Sequence, residues 1–427
     1  MPLLMPIKAH QSSESFSKGR ALTQPKQSRH GSLWLITISA ALILAITQGA
    51  RQTTGMYVSP MNTDTGLGIA NIAFAMAVGQ FVWGAVQPLA GALAGRFGYA
   101  PMLALGVCLM VFGAAITPLM TTTSGLVIAL GVIQAAGAGI GSFSLLMGAV
   151  ANRIPETKRA FASGVINAGS SVGQFVFAPL TAALIAWLGW VKSMWSIAAI
   201  ALLVLPLVWL LRNPRHASAS ATLEGPGLRE QLKIAARDKS YWLLHAGFFT
   251  CGFHIAFLVT HLPTEVQLCD LSPKVSGDAL AIIGLFNIAG SLLIGWMANR
   301  WRMRVLLAGL YFSRAVAIVL YLLAPKTPET LYLFSAVIGL TWLATVPPTA
   351  GLVSKLFGVR HLATLFGLTL LSHQIGGFLG AWLGGLAIEA TGSYQWMWYA
   401  DITFAVFAAA ASLPVREAAP KLAATPA

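Results

Sequence analysis

Charged residues are scarce in this sequence. Asp, Glu, Lys and Arg make up only 9% of its 427 residues, while 56% are hydrophobic, against roughly 25% charged in an ordinary soluble domain. A chain of this size has too few charges to cover the surface of a water-soluble fold. The composition therefore excludes a soluble globular protein and predicts one that folds within a lipid bilayer.

The motifs of metal, nucleotide and disulfide chemistry are also missing. The three cysteines form no CxxC pair, and no P-loop or His-x-x-Glu-His is present. The glycine-rich "AGAGIGS" (136–142) lies inside an apolar run with no strand before it, so it lacks the context of a nucleotide-binding loop. We therefore expect no cofactor and no metal, and no clustered acid, base and nucleophile indicates an enzyme.

Apolar runs of about 20 residues, long enough to cross a hydrocarbon core of about 30 Å, recur along the whole chain. They are continuous, unlike the alternating strands of a β-barrel, so we predict an all-α polytopic membrane protein. The twelve predicted transmembrane helices are residues 33–60, 69–94, 101–120, 125–151, 161–187, 190–211, 241–264, 278–298, 304–324, 329–354, 362–390 and 394–414.

Basic residues are distributed unevenly between the predicted loops. If the amino terminus is cytoplasmic, Arg51 and Arg314 fall in spans and only Lys192, Lys274 and Lys326 of the 27 Lys and Arg fall in outer loops. This bias predicts a multi-pass protein of the cytoplasmic (inner) membrane with both termini cytoplasmic. The basic residues that give the chain its net charge of +14 then lie in loops that face anionic membrane lipid. We therefore expect no nucleic-acid partner.

A glycine and an arginine five residues apart occur in two equivalent places. "GALAGRFG", with Gly91 and Arg96, follows the second span, and "GWMANRWR", with Gly295 and Arg300, follows the eighth. This repeat predicts two pseudo-symmetric six-helix halves. The predicted organisation is a cytoplasmic tail at 1–31, a first half at 32–211, a cytoplasmic linker at 212–240, a second half at 241–414 and a cytoplasmic tail at 415–427.

The polar segments outside the spans differ in character. The tail at 1–31 is Ser-rich and basic, which favours a disordered segment over a targeting peptide, because it lacks the apolar stretch of about 7–15 residues that such a peptide needs. The mixed-charge part of the linker has a composition that suits a surface helix.

The duplicated motif resembles the pattern G-x-x-x-D-R-x-G-x-R of the major facilitator superfamily, which carries it between the second and third spans and often repeats it in the second half. The matching residues are Gly91, Arg96 and Gly98 in the first copy and Gly295, Arg300 and Arg304 in the second. Gly95 and Asn299 stand where that family usually has an acid. The resemblance implies the major facilitator fold, and these six residues as a conformational motif.

"RAFASGVINAG" (159–169) is similar to the start of the fifth span in monocarboxylate transporters and their oxalate:formate exchanger relatives, although "HGSLWL" replaces the acidic signature expected before the first span. This resemblance implies a monomeric secondary transporter that moves a small organic anion, a monocarboxylate, by alternating access. Proton symport and anion antiport both stay open as coupling modes. The alternative is an efflux pump for drugs or other metabolites.

Arg51 is the most unusual residue, because a permanent cation in a span costs about 2.5–3.5 kcal/mol on insertion scales. One interpretation is structural, with the side chain reaching outward or bonding helix-end carbonyls. The other places it between the two halves, where its planar guanidinium binds a substrate carboxylate through two parallel hydrogen bonds. Gln48 lies three residues earlier on the same helix face.

Other polar side chains recur at helical spacing in the spans. Asn167 and Gln174 lie on one stripe of the fifth span with Ser170 and Ser171, where the alternatives are a cavity lining and interhelical hydrogen bonding. Further candidate substrate-binding residues are His254 and His261 in the seventh span and His373 and Gln374 in the eleventh.

Proton coupling has few candidate groups in the sequence. A histidine can hydrogen-bond within the bundle, or it can carry a proton because it titrates near neutral pH. Only one acid, Asp401, enters a span appreciably, so a relay of carboxylates has little support. Arg314, in the ninth span, is expected to be a lipid-facing or interhelical anchor.

Overall fold

The computed structural model describes residues 30–151, 153, 156–212, 227–298, 300–358 and 362–417, and this part of the chain is helical without strands. The helices are α1 (His30–Gln52), α2 (Val58–Thr65), α3 (Ile69–Phe97), α4 (Tyr99–Ile116), α5 (Thr123–Leu126), α6 (Ala135–Ile140), α7 (Phe143–Ala151), α8 (Glu156–Leu202), α9 (Val204–Leu210), α10 (Leu228–Arg237), α11 (Lys239–Leu268), α12 (Pro273–Met297), α13 (Met303–Leu323), α14 (Pro328–Thr341), α15 (Val346–Phe357), α16 (Leu362–Thr391) and α17 (Gln395–Ser412).

The helices confirm the all-α membrane class. In the described part of the chain, nine helical segments are long and apolar enough to cross a membrane. One of them, Gly164–Leu210, holds two successive helices, because Gly189 has a left-handed φ of 78° that separates them. Each of the twelve predicted spans coincides with one helix or with consecutive shorter ones.

Several predicted spans are interrupted in the structure, among them the sixth, which breaks at Leu203 between α8 and α9. The first span consists of three successive pieces, which are α1, a 3₁₀ turn at Thr54–Tyr57, and α2. The fourth contains a π-helical segment, Val127–Gln134, and the tenth breaks between α14 and α15, just before two prolines at 347 and 348 that cannot donate to a helix. Arg51 therefore lies in the last turn of a helix and not in the middle of one.

Small residues allow the closest helix pairs to form. A Cβ added at Gly252 of α11 would lie 1.8 Å from the carbonyl oxygen of His373 on α16, and one at Gly376 of α16 would lie 2.0 Å from that of Phe249. Such backbone proximity is typical of membrane helices, which lack a hydrophobic driving force between them and associate through close packing. It fixes α11 against α16 inside the second half.

The two predicted halves contact each other through α3 with α16 and α8 with α12. At one end of the bundle they also meet near the connection at 66–68, which we name the closed end. There the backbone N–H of Ala70 donates to Glu389 Oε1 at 2.8 Å. A Cβ at Gly55 would lie 2.0 Å from the carbonyl oxygen of Val259. The halves therefore touch without an intervening gap at this end.

The polar segments are described only in part. The predicted surface helix of the linker is α10, in which most residues are exposed. Residues 1–29, 213–226 and 418–427 lie outside the described residues. These ranges make up most of the two predicted tails and half of the predicted linker. The boundaries of the two halves and of the tails stay predictions.

Candidate substrate cavity

Arg51 is half-buried between polar side chains that carry no charge. Its Nε donates to Gln48 Oε1 at 3.1 Å and its Nη1 donates to Gln80 Oε1 at 2.8 Å. The guanidinium carbon lies 4.2 Å from the ring centroid of Trp83, a cation–π distance. None of the ion pairs among the described residues includes Arg51. The cation is thus positioned by neutral groups and keeps its charge uncompensated.

The hydrogen bonds of Arg51 continue across the interface between the halves. Gln80 of α3 donates through Nε2 to Gln374 Oε1 of α16 at 2.9 Å. Gln374 is fully buried, and its own Nε2 has no partner in the described structure. The predicted residues Gln48, Arg51 and Gln374 therefore belong to one chain of hydrogen bonds, which the unpredicted Gln80 completes.

A cavity of about 50 Å³ lies beside Arg51. Its polar lining is Arg51, Thr54, Gln80, Gln134 and Thr260, and Ala256 and Val259 close it from α11. Gln134 makes no hydrogen bond with the described residues, and its Oε1 is buried. Because a water needs roughly 10–15 Å³ by this measure, the space suits a few waters or a small anion.

The polar stripe of α8 divides between two roles. Ser171 accepts a hydrogen bond from Asn287 of α12 at 2.8 Å, and Ser170 accepts one from Gln52 at 3.3 Å. These bonds match the interhelical alternative. Gln174 is 1% exposed, and neither end of its amide has a partner in the described structure. Asn167 is exposed on the same helix.

The three predicted histidines lie in the second half with different surroundings. His254 Nδ1 is 2.5 Å from Asp401 Oδ2, and both side chains are fully buried. His261 is bonded at both ring nitrogens, to Tyr394 Oη at 3.0 Å and to the carbonyl oxygen of Ala381 at 2.7 Å. His373 is buried with its Nδ1 unpartnered among the described atoms. The structure groups none of them with Arg51.

Arg314 anchors a helix break. It is 1% exposed, and its Nη2 donates to the carbonyl oxygens of Thr341 and Trp342, the latter at 2.8 Å. These carbonyls lose helical partners where α14 ends. Of the two expected roles, the side chain has the interhelical one and not the lipid-facing one.

The first copy of the duplicated motif joins α3 to α4. Arg96 is exposed in the last turn of α3, and Gly98 follows it with a φ of 92°, a value that favours glycine. A Cβ at Gly91 would meet no atom within 4 Å, so space does not require glycine there.

The second copy includes an acid from a distant part of the chain. Arg300 stacks on Trp296 with 4.2 Å between the guanidinium carbon and the ring centroid. The backbone N–H of Arg304 donates to Glu417 Oε1 at 3.0 Å. Gly295 lies in α12 directly before Trp296, and a Cβ added to it would meet no atom within 4 Å. Asn299, where the family usually has an acid, lies outside the described residues.

Three residues near Arg51 were missed by the sequence analysis, namely Gln80, Trp83 and Gln134, and Asp401 was noted only as an acid within a span, without a partner. Gln80 shares a helix with Gln87, seven residues later, so polar spacing in an apolar span could have indicated it. Nothing local in the sequence connects Asp401 to His254, which is 147 residues away. No group of three metal-ligating side chains occurs within the described ranges.

A sequence model of the Major Facilitator Superfamily matches residues 40–380 and 269–426. The chain belongs to the major facilitator superfamily. It is therefore a multi-pass membrane transporter and not an enzyme.

The chain is also similar to individual transporters over most of its length. It is 22% identical to the monocarboxylate transporter 13 of Bos taurus, covering 84% of both chains, and 22% identical to the oxalate:formate antiporter of Oxalobacter formigenes, covering 86% of this chain and 87% of that protein. A crystal structure of a bacterial homolog to the human lysosomal transporter Spinster, inward-facing and unoccupied, superposes with a TM-score of 0.75 over 91% of this chain and 98% of that one at 15% identity. That likeness confirms the fold.

Proposed function

We propose that this transporter moves a small organic anion, a monocarboxylate, across the cytoplasmic membrane by alternating access. The observation that carries the proposal is Arg51, a cation at the interface of the halves whose hydrogen-bond partners are neutral amides. Its Nη2 makes no hydrogen bond with the described residues, which leaves a donor for a carboxylate. The similarity to a monocarboxylate transporter and an oxalate:formate antiporter supports the same substrate class.

In this proposal the residues of the cavity have separate tasks. Arg51 holds the carboxylate, since a guanidinium offers two parallel donors to its two oxygens. Gln134 turns its amide to donate a further hydrogen bond, which its lack of other partners allows. Gln48, Gln80 and Gln374 hold Arg51 in position. Asn167, Gln174 and the histidines act elsewhere along the transport path or in coupling.

The energetics of uptake require a second species. Moving one negative charge inward against an inside-negative potential costs about 2.3 kcal/mol per 100 mV. Proton symport or exchange for an internal anion removes this cost, because net charge no longer crosses. The transporter acts as a monomer with both termini cytoplasmic, and the closed end of the bundle then faces outward.

The test is uptake of a panel of radiolabelled monocarboxylates and dicarboxylates by purified protein in liposomes. Wild type is compared with Arg51→Gln and with the matched control Arg212→Gln. Like Arg51, Arg212 stacks on a tryptophan, with its guanidinium carbon 4.9 Å from the ring centroid of Trp209, but it lies outside the cavity. We expect saturable uptake of at least one acid by wild type and Arg212→Gln, and none by Arg51→Gln.

Two results would contradict the proposal. Arg51→Gln with wild-type uptake would remove the arginine from substrate binding. A wild type that moves no acid but exports lipophilic dyes would favour the efflux alternative. Empty liposomes correct for acids that cross the bilayer in their neutral form.

A further inference from the structure

A second polar site lies inside the second half, apart from the Arg51 cavity. His254 of α11 and Asp401 of α17 approach to 2.5 Å between Nδ1 and Oδ2, with side chains 1% and 0% exposed. On α11 the cavity is lined by Ala256, Val259 and Thr260. Since a helix turns about 100° per residue, Ala256 lies about 200° from His254. One helix therefore contacts the cavity on one face and the buried pair on the other.

The pair has one atom suited to bind and release a proton. A nitrogen and a carboxylate oxygen 2.5 Å apart must share a proton, because two bare acceptors would repel each other. Because imidazole is more basic than a carboxylate, we assign this proton to His254 Nδ1 as an N–H that donates to Asp401 Oδ2, which leaves Nε2 as the remaining basic atom. Nε2 and Asp401 Oδ1 are both buried without a hydrogen-bond partner in the described structure, although buried polar atoms nearly always have one.

The charges around the pair set the effect of that proton. With Nε2 bare the pair carries −1, which balances the buried Arg314 at +1; with Nε2 protonated the same core carries +1. Besides Glu265, the other titratable groups described in this core are Tyr241, Cys251, His261, Tyr311, Tyr321, His373 and Tyr394. None of these is a carboxylate, and Glu265 lies eleven residues, or about 16 Å, further along α11.

We propose that the His254–Asp401 pair is the proton-binding site that couples anion transport to the proton gradient, with His254 Nε2 as the atom that takes up and releases the proton. This rests on the proposed function of the Arg51 cavity. One proton enters with each monocarboxylate, so no net charge crosses the membrane. The proton returns from Nε2 to water when the second half opens to the other side.

The packing gives the pair a way to sense the cavity. The ring of His254 lies 6.4 Å from that of Trp342, at the break between α14 and α15 where Arg314 binds the free carbonyls. A movement of α11 that follows anion binding therefore changes both the cavity wall and the surroundings of the pair. In the conformation described here both groups are closed to water.

The test uses proteoliposomes with the membrane potential held at zero by potassium and valinomycin and the interior one pH unit more alkaline. Wild type should accumulate radiolabelled pyruvate about tenfold, since a tenfold concentration ratio corresponds to the 1.4 kcal/mol of one pH unit. His254→Gln and Asp401→Asn should not accumulate it. Counterflow of labelled for unlabelled pyruvate is measured beside accumulation, and we expect the ratio of accumulation to counterflow to fall about tenfold.

Controls separate coupling from folding. His245→Gln removes another histidine of α11, bonded to Ser372 at 2.6 Å, and should accumulate pyruvate like wild type. If a single variant fails to fold, the double variant His254→Leu/Asp401→Leu replaces it, because removing both partners leaves no unpaired buried group. Infrared difference spectra recorded during a pH titration give a readout without transport: wild type should show a histidine ionisation that His254→Gln lacks.

The outcomes distinguish the two proposals. A wild type that transports no acid contradicts the function of the Arg51 cavity, while the infrared titration still reports on the pair. A wild type that exchanges pyruvate without accumulating it overturns the coupling role and favours anion antiport. Accumulation retained in His254→Gln or in Asp401→Asn also overturns it, as does an unchanged infrared titration in His254→Gln.

Discussion

At the scale of single residues, two arginines in the spans have opposite environments. Arg314 is buried against backbone carbonyls that lost their helical partners, so its hydrogen bonds are used within the fold. Arg51 is half-buried beside a cavity, and its bonds to Gln48 and Gln80 use Nε and Nη1 only. Both residues carry a full charge, and the difference lies in which donors remain for a ligand.

The role of Arg51 can be tested without removing it. Gln80→Glu replaces the amide 2.8 Å from Arg51 Nη1 by a carboxylate of nearly the same size, which forms an internal ion pair and competes with the substrate. Gln374 can rotate its amide, because its Nε2 has no other partner among the described residues. We expect uptake at least about tenfold lower, equivalent to 1.4 kcal/mol or more of lost binding.

The matched control is Gln87→Glu on the same helix, where the amide bonds Ser144 at 2.9 Å. It adds the same charge to α3 outside the hydrogen bonds of Arg51 and should transport like wild type. Equal uptake by wild type and Gln80→Glu would mean that the substrate does not need the free charge of Arg51.

At the scale of helices, backbone contact between α11 and α16 keeps the second half together. Gly252→Ala would place a methyl carbon 1.8 Å from the carbonyl oxygen of His373, so the helices must separate. We expect destabilisation by about 1–3 kcal/mol, the usual cost of overpacking, measured as a lower midpoint of thermal unfolding in detergent.

Gly367→Ala in α16 is the control for this substitution, because its added methyl carbon would meet no atom within 4 Å. Alanine favours a helix over glycine by about 1 kcal/mol, so this variant should be neutral or slightly stabilised. Equal midpoints for wild type and Gly252→Ala would show that the two helices do not depend on this contact.

The hydropathy of the sequence predicted the positions of the helices but not their interruptions. Long apolar runs decide which segments enter the bilayer, and all twelve coincide with helices. The π-helical segment ending at Gln134 and the 3₁₀ turn after Arg51 depend on contacts with other helices, so local pattern does not indicate them. The prolines at 347 and 348 did carry a local signal for the break between α14 and α15.

The candidate site was predictable residue by residue, but its grouping was not. A cation or an amide in an apolar run is conspicuous, which is why Arg51, Gln48 and Gln374 were predicted. The partner of each side chain depends on helix packing between the two halves. Sequence analysis therefore grouped His254 with Arg51, whereas the structure places it beside Asp401 on the opposite face of α11.

At the scale of the whole molecule, the two halves meet tightly at the closed end, where Glu389 of α16 binds the backbone of Ala70 on α3. Alternating access requires this contact to open and another to form at the opposite end. The chain of bonds from Arg51 through Gln80 to Gln374 crosses the same interface. A carboxylate that binds Arg51 can therefore change how the halves hold together.

The central claim is that Arg51 binds the carboxylate of the substrate, and ligand-induced stabilisation of the purified protein measures it most directly. A ligand at 100 times its Kd stabilises a folded protein by about 2.7 kcal/mol. Titrating pyruvate, a monocarboxylate, at constant ionic strength should raise the unfolding midpoint of wild type and leave that of Arg51→Gln unchanged. An equal rise in both proteins would contradict the claim.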